Sequence, residues 1–162
     1  MNLPPRWRKA VLTVHVVTAV GWLGVDLVQL TLGIAGLSGA DPAVVYPAFG
    51  LIGTILFVPL SFLVWSVGVV NALLTPWRLL THWWVVTKLA VVTLMLVLVV
   101  FALYPNLSDA WTLGVATSHQ TRLNLVVAPS VSTSLLIFAT VLSTYKPWGR
   151  TRFARRRLRT NG

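Results

Sequence analysis

Four long apolar segments divide the chain, and short polar stretches containing proline or glycine separate them. The segments cover about residues 10–37, 44–74, 83–103 and 123–145. A helix needs about 20 apolar residues to cross the roughly 30 Å hydrocarbon core of a bilayer, and each segment reaches that length. The pattern therefore predicts an all-α protein, a four-transmembrane-helix bundle that forms a single membrane domain over residues 1–162.

Lysine and arginine residues are distributed unequally between the two sides of these segments. The N-terminal end, the 75–82 loop and the C-terminal end carry eleven of the thirteen, whereas the 38–43 and 105–121 loops carry none. Cytoplasmic loops of membrane proteins are enriched in these residues. The distribution therefore predicts a multi-pass protein of the cell inner (plasma) membrane, with both termini in the cytoplasm.

Composition indicates the same class of protein. Hydrophobic residues make up 56% of the chain and charged residues only 10%, far below the roughly 25% of a soluble domain. The net charge of +10 lies mostly at the two ends, which argues against a nucleic-acid partner. The basic tail at residues 146–162 is expected to attract anionic lipid, by about 1 kcal/mol for each charge near the surface. A second copy of the chain or another membrane protein stays open as a partner.

One face of the first segment is polar. His15, Thr18, Trp22, Asp26 and Gln29 follow one another at intervals of three, four, four and three residues, so on a helix they share one narrow stripe. An ionisable group in hydrocarbon costs roughly 2.5–3.5 kcal/mol on insertion scales, so the stripe should face the bundle interior. It either lines a ligand or proton site or forms a seam of hydrogen bonds between helices.

Another ionisable residue lies inside the third segment. Lys88 is about six residues from the cytoplasmic start of that segment, and His15 lies six residues beyond Lys9 on the same side. At about 1.5 Å rise per residue, both lie roughly 9 Å inside the boundary and are level with each other. We predict a ligand-binding site formed by His15 and Lys88 together with Trp22 and Asn71. The alternatives are a lysine that extends to the headgroups and a neutral histidine bonded to a neighbouring helix.

Asp26 and Arg122 are predicted to form a structural ion pair towards the outer face. Arg122 begins the fourth segment from that side, and a pair would neutralise both charges. The sequence contains no cysteine, no paired carboxylates and no histidine spacing typical of a metal site. It therefore predicts no metal centre, identifies no catalytic residue and leaves open whether the protein is an enzyme.

Short motifs at three points resemble those of known membrane protein families. They are His15-Val-Val-Thr-Ala-Val-Gly-Trp-Leu-Gly, His82-Trp-Trp-Val-Val-Thr-Lys88 and Tyr145-Lys-Pro-Trp-Gly. Over nearly its whole length the chain resembles an actinobacterial four-span integral membrane protein family of unknown function. It is more distantly similar to the HemJ-type protoporphyrinogen oxidases and the CopD-like membrane proteins.

The resemblance to the HemJ-type proteins implies roles for particular residues. Those proteins have a histidine early in span one and a lysine early in span three, which His15 and Lys88 match. The other matching residues are Arg122, Asn124, Pro129 and Lys146-Pro147. The asparagine-to-proline spacing is longer here, and the glutamate of that region is absent. The resemblance implies a haem or porphyrin as the ligand.

The sequence thus predicts an integral membrane protein that binds a porphyrin-like or other small hydrophobic ligand at an intramembrane His/Lys site. The alternative is a non-enzymatic structural or accessory membrane subunit, in which the polar residues serve only to pack helices together. A small proton or ion carrier is a third hypothesis, although the intramembrane charges are too few to form a continuous chain across the bilayer.

Overall fold

The computed structural model describes residues 4–74 and 82–145. Almost every described residue is helical, and the helices group into four spans that are long and apolar enough to cross a membrane. The chain therefore folds as an all-α four-helix bundle, as the apolar segments predict. The basic tail and most of the 75–82 loop lie outside the described residues, and so does the prediction that the tail attracts anionic lipid.

The bounds of the four spans are as follows. Span one is the single helix α1, Pro5–Leu37. Span two consists of α2, a π-helical segment and α3, which cover Pro42–Ile52, Gly53–Phe57 and Val58–Leu74. Span three consists of α4, a second π-helical segment, α5 and a 3₁₀ turn, which cover Trp83–Leu98, Val99–Leu103, Tyr104–Leu113 and Gly114–Ala116. Span four is α6, His119–Tyr145.

The third span is longer than the sequence predicts. Its predicted end is residue 103, with a polar loop beyond, but α5 continues the helix to Leu113. Pro105 is the second residue of α5, which follows directly on a π-helical segment, so the helix continues through it. Leu107 and Ala110 are fully buried, and through this face α5 packs against α2.

Both π-helical segments precede a proline. Gly53–Phe57 ends two residues before Pro59, and Val99–Leu103 ends two residues before Pro105. A proline has no N–H, and its ring clashes with the carbonyl group four residues earlier in an α-helix. In each case the amide that follows the segment donates to the carbonyl five residues earlier. The wider turn therefore accommodates the proline while the span continues.

Span one packs against spans two and four, and a glycine sets its contact with span four. Gly33 lies so close to the Leu125 carbonyl group that a Cβ atom at Gly33 would be 2.6 Å from the oxygen. Pro129, four residues further along α6, has no N–H to donate to this carbonyl. The oxygen can therefore accept a weak Cα–H contact from the glycine, and the two helix backbones approach closely at this point.

The outside of the bundle is apolar and part of its interior is polar. Val17, Ile55 and Phe101 are each at least 64% exposed, whereas Asp26 and Gln29 are 0% exposed. Water would favour the opposite arrangement, and hydrocarbon chains favour this one because they solvate apolar side chains and not charges. The surface and the four long apolar helices are therefore compatible with an integral membrane protein.

Candidate functional site

His15 lies inside the bundle, where span one meets span two. A Cβ atom at Gly68 of α3 would be only 3.2 Å from His15 Cε1, so the glycine provides the space that the imidazole fills. The Nδ1 atom of His15 is buried and has no hydrogen-bond partner among the described residues. The imidazole therefore retains an unused nitrogen in the bundle interior.

Lys88 reaches from α4 to span four. The half-buried side chain donates a hydrogen bond of 2.6 Å from Nζ to Ser143 Oγ, and the Ser143 hydroxyl in turn donates to the Ala139 carbonyl group. An ammonium carries three donor hydrogens, and this bond uses one of them to join two helices. Lys88 also lies close enough to His15 for the two side chains to interact electrostatically.

The helix registers bring these residues to one level of the bundle. Spans one and four are antiparallel, with Asp26 hydrogen-bonded to Thr133. His15 precedes Asp26 by eleven residues on α1. Because the helices are antiparallel, the position level with His15 on α6 is about eleven residues after Thr133, next to Ser143. Ser143 is the residue that bonds to Lys88. The four spans thus each contribute one member of a group that we call the His15–Lys88 site: His15, Gly68, Lys88 and Ser143.

Of the two other residues predicted to bind ligand, Asn71 lies near the His15–Lys88 site and Trp22 lies deeper in the bundle. Asn71 follows Gly68 by three residues on α3, so it shares the same helix face within one turn of the His15–Lys88 site. Trp22 is seven residues from His15, which places it roughly 10 Å deeper along α1. It is fully buried, and its ring packs at 5.9 Å between centroids against an aromatic ring of span two.

The structure gives Asp26 and Arg122 separate partners in place of the predicted ion pair. Asp26 Oδ2 accepts a hydrogen bond of 2.7 Å from Thr133 Oγ1. The Arg122 guanidinium donates from Nε to the Thr117 carbonyl and from Nη2 to the Val115 carbonyl, each at 2.9 Å. Thr133 is eleven residues beyond Arg122 on α6, so roughly 16 Å separates the two levels. The prediction placed Asp26 too close to the outer face.

Asp26 belongs to a buried polar cluster near the middle of the bundle. The Ser132 hydroxyl lies beside its carboxylate, and the Thr54 hydroxyl of span two has no hydrogen-bond partner among the described residues. Gln29 lies against span two, because a Cβ atom at Gly53 would be 2.7 Å from its Nε2. We call these residues the central polar cluster: Trp22, Asp26, Gln29, Thr54, Ser132 and Thr133.

The stripe on span one indicated three of the six residues of this cluster. Two polar residues of span two, Thr54 and Tyr46, had no sequence signal. Thr54 is a single hydroxyl in an apolar run, so no periodicity marks it. Tyr46 is fully buried, and its hydroxyl has no partner within the described part of the chain. The Arg122 guanidinium lies 4.8 Å from the centre of its ring. The glycine at position 36 makes room for this tyrosine, which a pattern of small residues could have indicated.

A cleft of about 320 Å³ opens between spans three and four. Apolar side chains form most of its walls, and at the end nearest α5 Asn124 Nδ2 donates to Asn106 Oδ1 at 3.1 Å. Its opposite end is at Met95, seven residues from Lys88, so roughly 10 Å separates the cleft from the level of the lysine. The cleft and the His15–Lys88 site are therefore distinct features of the same bundle.

The His15–Lys88 site offers one imidazole nitrogen and one ammonium. Among the described residues, no three histidine, aspartate or glutamate side chains come together to hold a metal ion. The site can instead give a single axial ligand to a metal that a ligand already holds, and a charge-assisted hydrogen bond to a carboxylate. No family model, curated protein or solved structure matches this chain.

Proposed function

We propose that this protein binds a small hydrophobic ligand with a carboxylate group, such as a porphyrin, at the His15–Lys88 site. The observation that carries the proposal is the convergence of all four spans on a half-buried imidazole and an ammonium at one level. Two ionisable groups in an apolar bundle are costly. An anionic ligand would stabilise the ammonium, and the energy of its binding would offset that cost.

A porphyrin suits both side chains of this pair. Lys88 would donate charge-assisted hydrogen bonds to a propionate. If the ligand is haem, the unpartnered Nδ1 of His15 would serve as an axial ligand to its iron. The apolar ring would be solvated by the apolar side chains that make up most of the four spans, and a lipid-soluble molecule can approach them from within the bilayer.

Haem titration of the protein in lipid nanodiscs tests this proposal. We expect a saturable shift of the Soret band that His15→Ala abolishes, because the axial nitrogen is lost. The matched control is His119→Ala, which removes an exposed histidine at the opposite end of the bundle and should leave the shift intact. An unshifted band in the wild type, or an equal shift in His15→Ala, would favour the accessory-subunit hypothesis, in which the polar residues only pack helices.

We also propose that both chain ends and the 75–82 loop face the cytoplasm, because they carry most of the basic residues. Cytoplasmic reporters fused after residue 159 or near residue 78 should be active. Those inserted in the turns at residues 38–41 and 117–118, which follow spans one and three at the other end of the bundle, should be inactive. An active cytoplasmic reporter at residue 117 would contradict this topology.

A further inference from the structure

The carboxylate at the middle of the bundle has no cationic partner in the part of the chain that the structure describes. Asp26 is 0% exposed, its Oδ2 accepts from Thr133, and its Oδ1 has no partner. It lies eleven residues from His15 along α1, roughly 16 Å away, so it is separate from the proposed ligand site. The described charged or titratable groups on the elements packed around it lie towards the two ends of the spans: Arg6, Arg8, Lys9, His15, Tyr46, Lys88, Tyr104, Asp109, His119, Arg122 and Tyr145.

The surroundings of Asp26 are neutral hydrogen-bonding groups. Gln29 lies one turn further along the same face of α1, is 0% exposed, and has both amide atoms unpartnered. Trp22, one turn earlier, has an Nε1 without a partner among the described residues, and the Ser132 hydroxyl lies beside the carboxylate. Each buried polar group without a partner costs about 1–3 kcal/mol, and hydrocarbon offers no alternative partner. The cluster therefore holds more hydrogen-bonding groups than the described side chains pair with one another.

We propose that Asp26 is a proton-binding site inside the membrane-spanning bundle. The proton comes ultimately from hydronium in the water outside the membrane: an O–H bond of hydronium breaks, an O–H bond forms on Oδ1, and a water molecule is released. The new hydroxyl donates to Gln29 Oε1, which otherwise has no donor, while Thr133 continues to donate to Oδ2. Protonation thus removes the only charge of the central polar cluster and uses two of its unpartnered atoms.

A proton suits this cluster better than a metal cation. Trp22 Nε1 and Gln29 Nε2 carry hydrogens and can only donate, so two of the unpartnered atoms cannot be cation ligands. A hard cation takes about six or more oxygen ligands, and the described residues provide no second carboxylate near Asp26. A proton requires only one acceptor, which Gln29 Oε1 provides.

Infrared spectroscopy of the full-length protein in lipid at neutral pH tests the proposal. A protonated carboxyl group has a C=O stretch that is separate from the bands of an ionised carboxylate. The chain has only three acidic side chains, and Asp41 and Asp109 are exposed. We expect one protonated-carboxyl band, which Asp26→Asn removes and the control Asp109→Asn retains.

A second variant tests the assignment without changing the acid itself. Thr133→Val removes the hydrogen bond to Oδ2, so the band should persist and move to higher frequency. The spectrum should be the same in sodium and in choline salts. Two results would overturn the proposal: a wild-type protein that is helical but shows no such band, or a band whose frequency is the same in Thr133→Val as in the wild type. Loss of the band in sodium alone would also overturn it and would make Asp26 a cation site.

Discussion

Replacing Lys88 by methionine should weaken the binding of protoporphyrin about tenfold to a hundredfold. Methionine keeps most of the apolar stem and removes the ammonium, so the variant loses the charge-assisted hydrogen bond to a propionate. Such a bond contributes roughly 1.5–3 kcal/mol, and each 1.4 kcal/mol corresponds to about a tenfold change in Kd. Quenching of tryptophan fluorescence during a porphyrin titration in nanodiscs measures the change.

The control for this variant is Lys9→Met. Lys9 is exposed near the same end of the bundle, so its loss removes one positive charge without altering the His15–Lys88 site. An equal loss of affinity in both variants would mean that the cations attract an anionic ligand only in a general way. Unchanged affinity in Lys88→Met would mean that the lysine serves only its bond to Ser143.

The Gly33→Ala protein should be less stable than the wild type by about 1–3 kcal/mol, the usual cost of overpacking. The added Cβ would be 2.6 Å from the Leu125 carbonyl oxygen. That oxygen belongs to the backbone, so it can move away only if α1 and α6 separate. The change should lower the midpoint of thermal unfolding in detergent.

Gly24→Ala on the same helix is the matched control. A Cβ atom at Gly24 meets nothing within 4 Å, and alanine is favoured over glycine in a helix by about 1 kcal/mol. This variant should therefore be as stable as the wild type or more stable. Equal unfolding midpoints for the two variants would show that the close contact at Gly33 does not determine stability.

The spans and the buried stripe could be predicted from the sequence because each depends on a single segment. The thickness of a bilayer sets the length of an apolar run, and the 3.6-residue period sets the face of a helix. Trp22, Asp26 and Gln29 were therefore assigned to one inward face, and all three are 0% exposed. The level of Lys88 also followed from counting residues inward from one boundary.

The partners of these residues could not be predicted, because they depend on the register between segments that are far apart in sequence. Asp26 bonds to Thr133, 107 positions away, and the sequence offered Arg122 as a more obvious partner by charge. In that register Gly33 lies against Leu125, whose carbonyl has no helical donor because Pro129 follows four residues later. The extension of span three through Pro105 was missed because a π-helical segment absorbs the proline, and no sequence pattern distinguishes that from a break.

The most direct test of ligand recognition at the His15–Lys88 site compares protoporphyrin with its dimethyl ester, which lacks the two carboxylates. Both compounds are titrated into the wild type and into Lys88→Met in the same nanodiscs. If Lys88 recognises a carboxylate, the wild type should bind the acid about tenfold to a hundredfold more tightly than the ester, and the variant should bind the two alike. The same preference for the acid in both proteins, or no preference in the wild type, would contradict the proposed site.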